Sequence, residues 1–238
     1  MDISIYLKNT LNKYKIPIND EKISQFNTFI DYMLEYNETT NITAITEKED
    51  IIYKHVLDSV WIIDKLKSNT KVIDIGCGGG FPSIPLAILN NSLQFTAIDS
   101  NNKKITFVNN AKNTLKLNNF TAIHTRIEDI AKKIDYREQF DYAISRAVAP
   151  LNTIIEYSAP LIKIGGYIVA YKGSNYKEEL NASQNALKLL DCKVENIEKL
   201  HIDEINADRY VIFIKKLNIT NAKYPRPANK PRLQPLWK

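Results

Sequence analysis

Toward the N-terminus, apolar residues recur three and four positions apart. Ile23, Phe26, Phe29, Ile30, Met33 and Leu34 make up one such series. Side chains at that spacing share one face of a helix, so the series predicts an amphipathic helix packed on a core. Asp20 stands where a side-chain cap would open it, with Ile23 and Ser24 following. A turn is expected around Asn37-Glu38-Thr39-Thr40-Asn41, and a second helix over Glu47 to Lys67. From Lys71 the rhythm changes. Short apolar runs at Lys71–Ile75, Gln94–Ile98, Phe120–His124, Asp141–Ser145, Tyr167–Tyr171, Lys193–Ile197 and Tyr210–Lys215 alternate with helical patterns such as Lys103–Leu117 and Leu151–Ile162. That alternation predicts an α/β fold, a mostly parallel doubly wound sheet with helices on both faces. The last two runs, joined by a short loop near His201–Arg209, are placed to pair as an antiparallel hairpin.

Charge is unevenly spread. From Lys215 onward stand Lys215, Lys216, Lys223, Arg226, Lys230, Arg232 and Lys238, seven basic residues with no Asp or Glu among them. Subtracting those seven from the net charge of +5 leaves −2 for everything before Lys215. The same stretch carries Pro225, Pro227, Pro231 and Pro235, which argues against helix and for an extended arm able to meet a phosphate backbone. No apolar run nears the roughly 20 residues of a membrane span. The first residues lack the basic-then-apolar order of a signal peptide. Only Cys77 and Cys192 are present, so neither a disulfide framework nor a cysteine-only zinc site is expected. Both thiols are read as reduced and buried, in a cytoplasmic protein without metal.

The richest chemistry lies at Val72-Ile73-Asp74-Ile75-Gly76-Cys77-Gly78-Gly79-Gly80-Phe81, an apolar strand running into glycines. Loops at the carboxyl ends of strands are where open α/β sheets take ligands. A dinucleotide loop needs a third glycine five positions after the first; here that position is Phe81. The pattern present, DxGxGxG from Asp74 to Gly80, instead resembles the loop of class I S-adenosylmethionine-dependent methyltransferases. In that setting Asp74 sits near the donor's charged amino acid part. Asp99 ends the second strand about 23 residues after Gly76, the spacing at which a carboxylate reaches ribose hydroxyls; the plain alternative is a helix cap. After the third strand, Ile127 is placed to pack on an adenine, with Glu128 or its backbone reading the ring edge. Equally, Glu128 and Asp129 suit the start of a helix.

The fourth strand and its loop, Asp141 to Pro150, bear on the methyl acceptor. No Asn/Asp-Pro-Pro-aromatic loop for exocyclic amines is present, and neither cysteine stands where a ring-activating nucleophile is needed. An acceptor that is already nucleophilic, such as guanine N7, needs only alignment with the methyl group. Arg146 is the conspicuous polar residue there. Its guanidinium suits the donor's carboxylate, an RNA phosphate, or an ordinary surface ion pair.

Taken together, Asn41-Ile42-Thr43-Ala44-Ile45, His55-Val56-Leu57-Asp58-Ser59, the stretch from Asp74 to Pro82, Ser145-Arg146-Ala147 and Tyr171-Lys172-Gly173 resemble, in order, the bacterial 16S rRNA guanine-N7 methyltransferase G family, once called glucose-inhibited division protein B. The resemblance implies a Rossmann-like class I methyltransferase with a seven-stranded, mostly parallel sheet behind an N-terminal helical extension. On this chain the parts would be 1–67, 68–217 and a basic proline-rich tail over 218–238. It implies N7 methylation of one guanine in the decoding-region loop of 16S rRNA, presented in the 30S subunit or an assembly intermediate. It assigns donor contacts to Gly76, Phe81, Ile127, Glu128 and Arg146, to which the loop and ribose readings add Asp74, Gly78 and Asp99; Arg146 is also the candidate catalytic residue. His55, Asp58 and Lys172 are candidates for the RNA or donor face. The rival expectations are a methyltransferase for a small molecule or protein, a non-catalytic RNA-binding protein, and a nicotinamide dehydrogenase, the last disfavoured by Phe81.

Overall fold

The computed structural model describes residues 2–237. Its centre is a seven-stranded sheet in the order β3-β2-β1-β4-β5-β7-β6. The strands are β1 (Lys71–Ile75), β2 (Gln94–Asp99), β3 (Phe120–His124), β4 (Phe140–Arg146), β5 (Ile162–Lys172), β6 (Cys192–Ile202) and β7 (Ala207–Lys216). β1 to β5 pair in parallel, and β7 runs antiparallel between β5 and β6. The expected closing hairpin is therefore present, turned by a short 3-10 segment at Asp203–Ile205 with Asn206 left-handed at its end. Chain order reverses between β1 and β4. Their carboxyl ends open a crevice there, the place where sheets of this topology accept ligands.

The inner strands β1 and β4 are buried because both faces of the sheet are covered. One core joins α1 (Ile3–Lys13) and α2 (Asp20–Asn37) to α5 (Ser83–Leu89), α6 (Asn102–Thr114) and one side of the sheet, through Leu7, Phe26, Phe29, Met33, Leu86, Phe107 and Val72. The other side packs Ile73, Ile75 and Ile168 against α8 (Leu151–Ser158) and α10 (Gln184–Leu189), through Ile154, Ile155, Ala186 and Leu187. Burial of a large aliphatic or aromatic side chain contributes about 1.5–3 kcal/mol, so the N-terminal helices are held by the same burial that holds the sheet.

Several sequence expectations shift. Asn19, not Asp20, caps α2: its side chain accepts from Lys22 N, while Asp20 joins the first turn and favours the helix N-terminus by its charge. The helix expected over Glu47 to Lys67 is broken. It starts as α3 (Lys48–Ile51), widens into a π-helix at Ile52–Leu57, tightens as α4 (Asp58–Val60), and ends in a 3-10 turn at Ile63–Lys65. The wide turn keeps Ile52, Tyr53, Val56 and Leu57 buried while His55 and Asp58 turn toward β4. The helix expected over Leu151–Ile162 stops at Ser158, because Ile162 opens β5.

The tail is not a free arm. Arg226 forks onto fully buried Glu156, with Nε to Oε1 at 2.8 Å and a terminal nitrogen to Oε2 at 2.7 Å. Arg137 ties down the carbonyls of Thr220, Asn221 and Tyr224. Thr153 donates to the carbonyl of Pro231 at 2.9 Å. A one-turn helix, α11 (Lys230–Leu233), forms despite its proline, since a proline in the first turn removes an N–H that has no helical partner. Lys216, assigned to the basic stretch, is fully buried and donates to Glu138 and to the carbonyls of Ala159 and Ile162.

Candidate active site

The glycine loop leaves β1 at the crevice. Gly76 and Cys77 both donate to the carbonyl of Ile98, at 2.9 and 3.0 Å, which locks the loop onto the end of β2. Gly76 has φ +70°, and a Cβ there would meet Val148 Cγ2 at 2.9 Å. Nothing larger fits. At Gly79 a Cβ would strike Ile42 Cγ2 at 2.8 Å, so the loop after α2 roofs the glycine turn. Gly78 donates to Asp99 Oδ2 at 3.0 Å, and Asp99 Oδ1 accepts from Asn101 N at 2.8 Å. Asp99 thereby fastens the glycine loop and the start of α6 to one carboxylate.

Beside this loop lies a cavity of about 440 Å³. Its walls include Gly76, Asp99, Ile127, Glu128 and Val148, with Asn229 and Arg232 of the tail. Glu128, on α7 (Ile127–Ile130), is buried; its Oε1 accepts from Asn229 N at 3.2 Å and stands 3.5 Å from the hydroxyl of Tyr157. Arg232 donates to the carbonyl of Val148 at 2.7 Å. The folded tail is thus a wall of this cavity, a function its composition concealed.

Asp74 and Phe81 line neither this cavity nor its neighbour. Asp74 is fully buried, accepts from Ser83 Oγ at 2.5 Å through Oδ2, and leaves Oδ1 without a partner among the described residues. Burial pushes its carboxyl up to about 7. Phe81 stacks on His55 with ring centroids 4.6 Å apart and carries the Arg146 guanidinium 5.2 Å from its ring centre. Cys77 is buried at the loop, and burial raises its thiol well above the usual range. It is no nucleophile.

Arg146, at the end of β4, is where distant motifs converge. One terminal nitrogen donates to Asp58 Oδ2 at 2.8 Å and to the carbonyl of Lys54 at 3.1 Å; the other lies 3.1 Å from His55 Nδ1. Burial, then the charge of Arg146, lowers the His55 imidazole to about 4. Neutral His55 therefore accepts from arginine at Nδ1 and, as the matching tautomer, donates from Nε2 to Thr43 Oγ1 at 2.9 Å. Asn37 Oδ1 in turn accepts from the amides of Ile42 and Thr43. Arg209 Nε stands 3.2 Å from the other oxygen of Asp58, so one buried carboxylate spans two guanidinium groups.

A second cavity, of about 840 Å³, meets the first at Ala147 and Val148. Arg146, Asp58 and Arg209 form one side, and Lys172, Glu179 and Trp237 line the rest with others. Ala147, on the shared crest, has φ +56°, a conformation that costs a non-glycine residue about 1–3 kcal/mol and persists where surrounding structure imposes it. The sequence candidates thus separate into groups. Gly76, Asp99, Ile127 and Glu128 share the smaller cavity; Asp58, Arg146 and Lys172 share the larger; Gly78 braces Asp99; Asp74, Phe81 and His55 support from beneath. The sequence alone does not single out Glu179, Arg209, Trp237, Asn229 or Arg232 as cavity residues. Basic charge marked Arg232, and nothing local marked Glu179. Among the described residues no helix is long and apolar enough to cross a membrane, and no His, Cys, Asp and Glu cluster is arranged to hold a metal.

The fold is shared with solved methyltransferases. A TYW2 from M. jannaschii, crystallised in complex with AdoMet, superposes with a TM-score of 0.51 at 16% identity, over 67% of this chain and 77% of that one. An O-methyltransferase from Thermotoga maritima gives 0.51 at 18% identity, over 81% and 72%. Sequence relatives are nearer. The ribosomal RNA small subunit methyltransferase G of Thermoanaerobacter sp. (strain X514) is 42% identical over 216 residues, 90% of each chain. That of Alkaliphilus oremlandii is 40% identical over 240 residues, 99% of this chain and 100% of its own. The model for rRNA small subunit methyltransferase G matches residues 22–210. Matched over most of its length, and with the glycine loop, Arg146 network and paired cavities in place, the chain belongs to the rRNA small subunit methyltransferase G family.

Proposed function

We propose that this chain methylates N7 of a guanine in small-subunit ribosomal RNA, with S-adenosylmethionine as donor and the 30S subunit or an assembly intermediate as substrate. The observation that carries the reading is the meeting of the two cavities at Ala147 and Val148. One has Gly76 in its wall; the other, where Asp58, Arg146, Lys172 and Glu179 stand among apolar residues, is large enough for a base.

The smaller cavity fits the donor. The approach at Gly76 admits no side chain, Asp99 keeps lone pairs on both oxygens for ribose hydroxyls, and Ile127 gives an apolar wall for a purine. The unpartnered Oδ1 of Asp74 lies beneath the loop as a buried acceptor whose ionised form favours a cationic ligand above it. When bound, the donor supplies an electrophilic methyl group. Guanine N7 carries a lone pair and no proton, so the chain's work is to orient the base and exclude water. Arg146 walls the acceptor side with its guanidinium already fixed by Asp58, which spares the ordering entropy when RNA arrives. Lys230 and Arg232 of the folded tail are exposed near the donor cavity, where phosphate contacts would make binding salt-dependent.

Incubating the purified chain with radiolabelled S-adenosylmethionine and 30S subunits, naked 16S RNA, ribosomal proteins or a metabolite extract tests this directly. Label is expected in 16S RNA. Label confined to protein or small molecules would replace the proposed acceptor while keeping the donor site. RNA binding without turnover, indifferent to donor, would support the non-catalytic rival.

A further inference from the structure

The larger cavity holds a polar pair that the fold does not use up. Lys172, at the end of β5, and Glu179, on α9 (Tyr176–Ala182), meet with Nζ 2.7 Å from Oε2. Their side chains are only 9% and 18% exposed. Oε2 also accepts from Leu151 N at 2.8 Å, whereas Oε1 has no hydrogen-bond partner among the described residues. Lys172 Nζ donates to the carbonyl of Ala149 at 2.9 Å and to Glu179, and an ammonium has a third N–H to give. Side by side in the cavity stand one free acceptor and one free donor.

Guanine that receives a methyl at N7 must turn that edge to the donor. Its Watson–Crick edge is then left for recognition, presenting O6 as an acceptor and N1–H and N2–H as donors. A carboxylate oxygen beside an ammonium matches that order. Adenine presents the opposite, an amino group where guanine has O6 and a bare N1 where guanine has N–H. It would set donor against Lys172 and lone pair against Glu179. Trp237, 55% exposed and lining the same cavity, offers the flat apolar face on which an unstacked base settles.

Resting on the guanine-N7 reading above, we propose that Glu179 and Lys172 select guanine by its Watson–Crick edge, Glu179 accepting from N1–H and N2–H and Lys172 donating to O6, with the base stacked on Trp237. The pairing is one of hydrogen bonds alone; no proton changes owner.

The test compares 30S subunits reconstituted with guanine or inosine at the mapped acceptor position, since inosine differs only in lacking the N2 amino group. Losing a hydrogen bond to a charged group is expected to lower the wild-type kcat/KM on inosine about 10- to 100-fold. Glu179→Gln keeps an oxygen for Leu151 N but turns an amide N–H toward the base. It should lose activity on guanine by a similar factor and treat the two bases alike within about twofold, while its equilibrium affinity for S-adenosylmethionine stays at the wild-type value. Equal wild-type rates on guanine and inosine would overturn the assignment, as would a folded Glu179→Gln enzyme that still discriminates. If that variant fails to fold, the wild-type comparison decides by itself. Should the wild type label N7 of neither base, the reading of the reaction fails first and the selection role goes with it.

Discussion

Asp74 lies under the glycine loop with one oxygen held by Ser83 and the other unpartnered, and burial raises its carboxyl to about 7. A cationic donor stabilises the ionised form, so binding should release a proton wherever Asp74 is protonated beforehand. The sign follows. Affinity for S-adenosylmethionine should be weakest below pH 7, rise through about pH 7, and level off above it. Asp74→Asn should bind more weakly at high pH and lose the slope. Calorimetric titration across that range checks both, and a flat wild-type profile would remove Asp74 from donor recognition. Residue identity alone announced this position only in part. The DxGxGxG pattern marks Asp74 and Gly76 as loop residues because loop chemistry is local, and strand spacing marks Asp99. Phe81 and His55 were legible as members of motifs, yet their task is to stack on each other and brace Arg146. Contacts between residues so far apart in sequence leave no local trace.

At the scale of elements, the tail is the instructive case. Its composition, basic and proline-rich, reads as an arm, but its fold is decided by partners on other elements, Glu156, Arg137 and Thr153. Fully buried Glu156 on α8 needs the Arg226 fork, and once Arg226 is seated, Asn229 and Arg232 are carried to the smaller cavity. Arg226→Ala leaves that carboxylate buried and alone, which should cost about 3–5 kcal/mol of stability. A chain ending at Tyr224 should lose donor affinity in the absence of RNA, because a wall of the cavity goes with it. If truncation weakens only RNA binding and leaves donor affinity intact, the tail is an arm after all. The strands are legible where they are short, as β1 and β3 show by matching their expected ends. β6 extends well past its apolar run because its outer edge is exposed and tolerates polar residues. α9, which brings Glu179 to the site, has no buried residue and so no apolar stripe to read.

Across the whole molecule, the N-terminal helices and the sheet share one core. Leu7, Phe26 and Phe29 lie in the same apolar cluster as Phe107 and Val72, and Ile42 roofs the glycine turn. The chain should therefore unfold as a unit. Fluorescence of Trp61, in the N-terminal segment, and far-ultraviolet circular dichroism should trace one coincident thermal transition; an earlier Trp61 transition would mean that the helices melt separately from the sheet. The same integration places the larger cavity between parts drawn from α4, β4, β5, β7, α9 and the tail, with the smaller cavity meeting it at Ala147 and Val148. That arrangement is the core of the functional account, and the position of the transferred methyl group tests it most directly. After incubation of the enzyme with 30S subunits and isotopically labelled S-adenosylmethionine, nuclease digestion and mass spectrometry of the 16S RNA should show 7-methylguanosine, at one position and in at most one copy per subunit. Label on another atom or another base, or spread over many guanines, would contradict it.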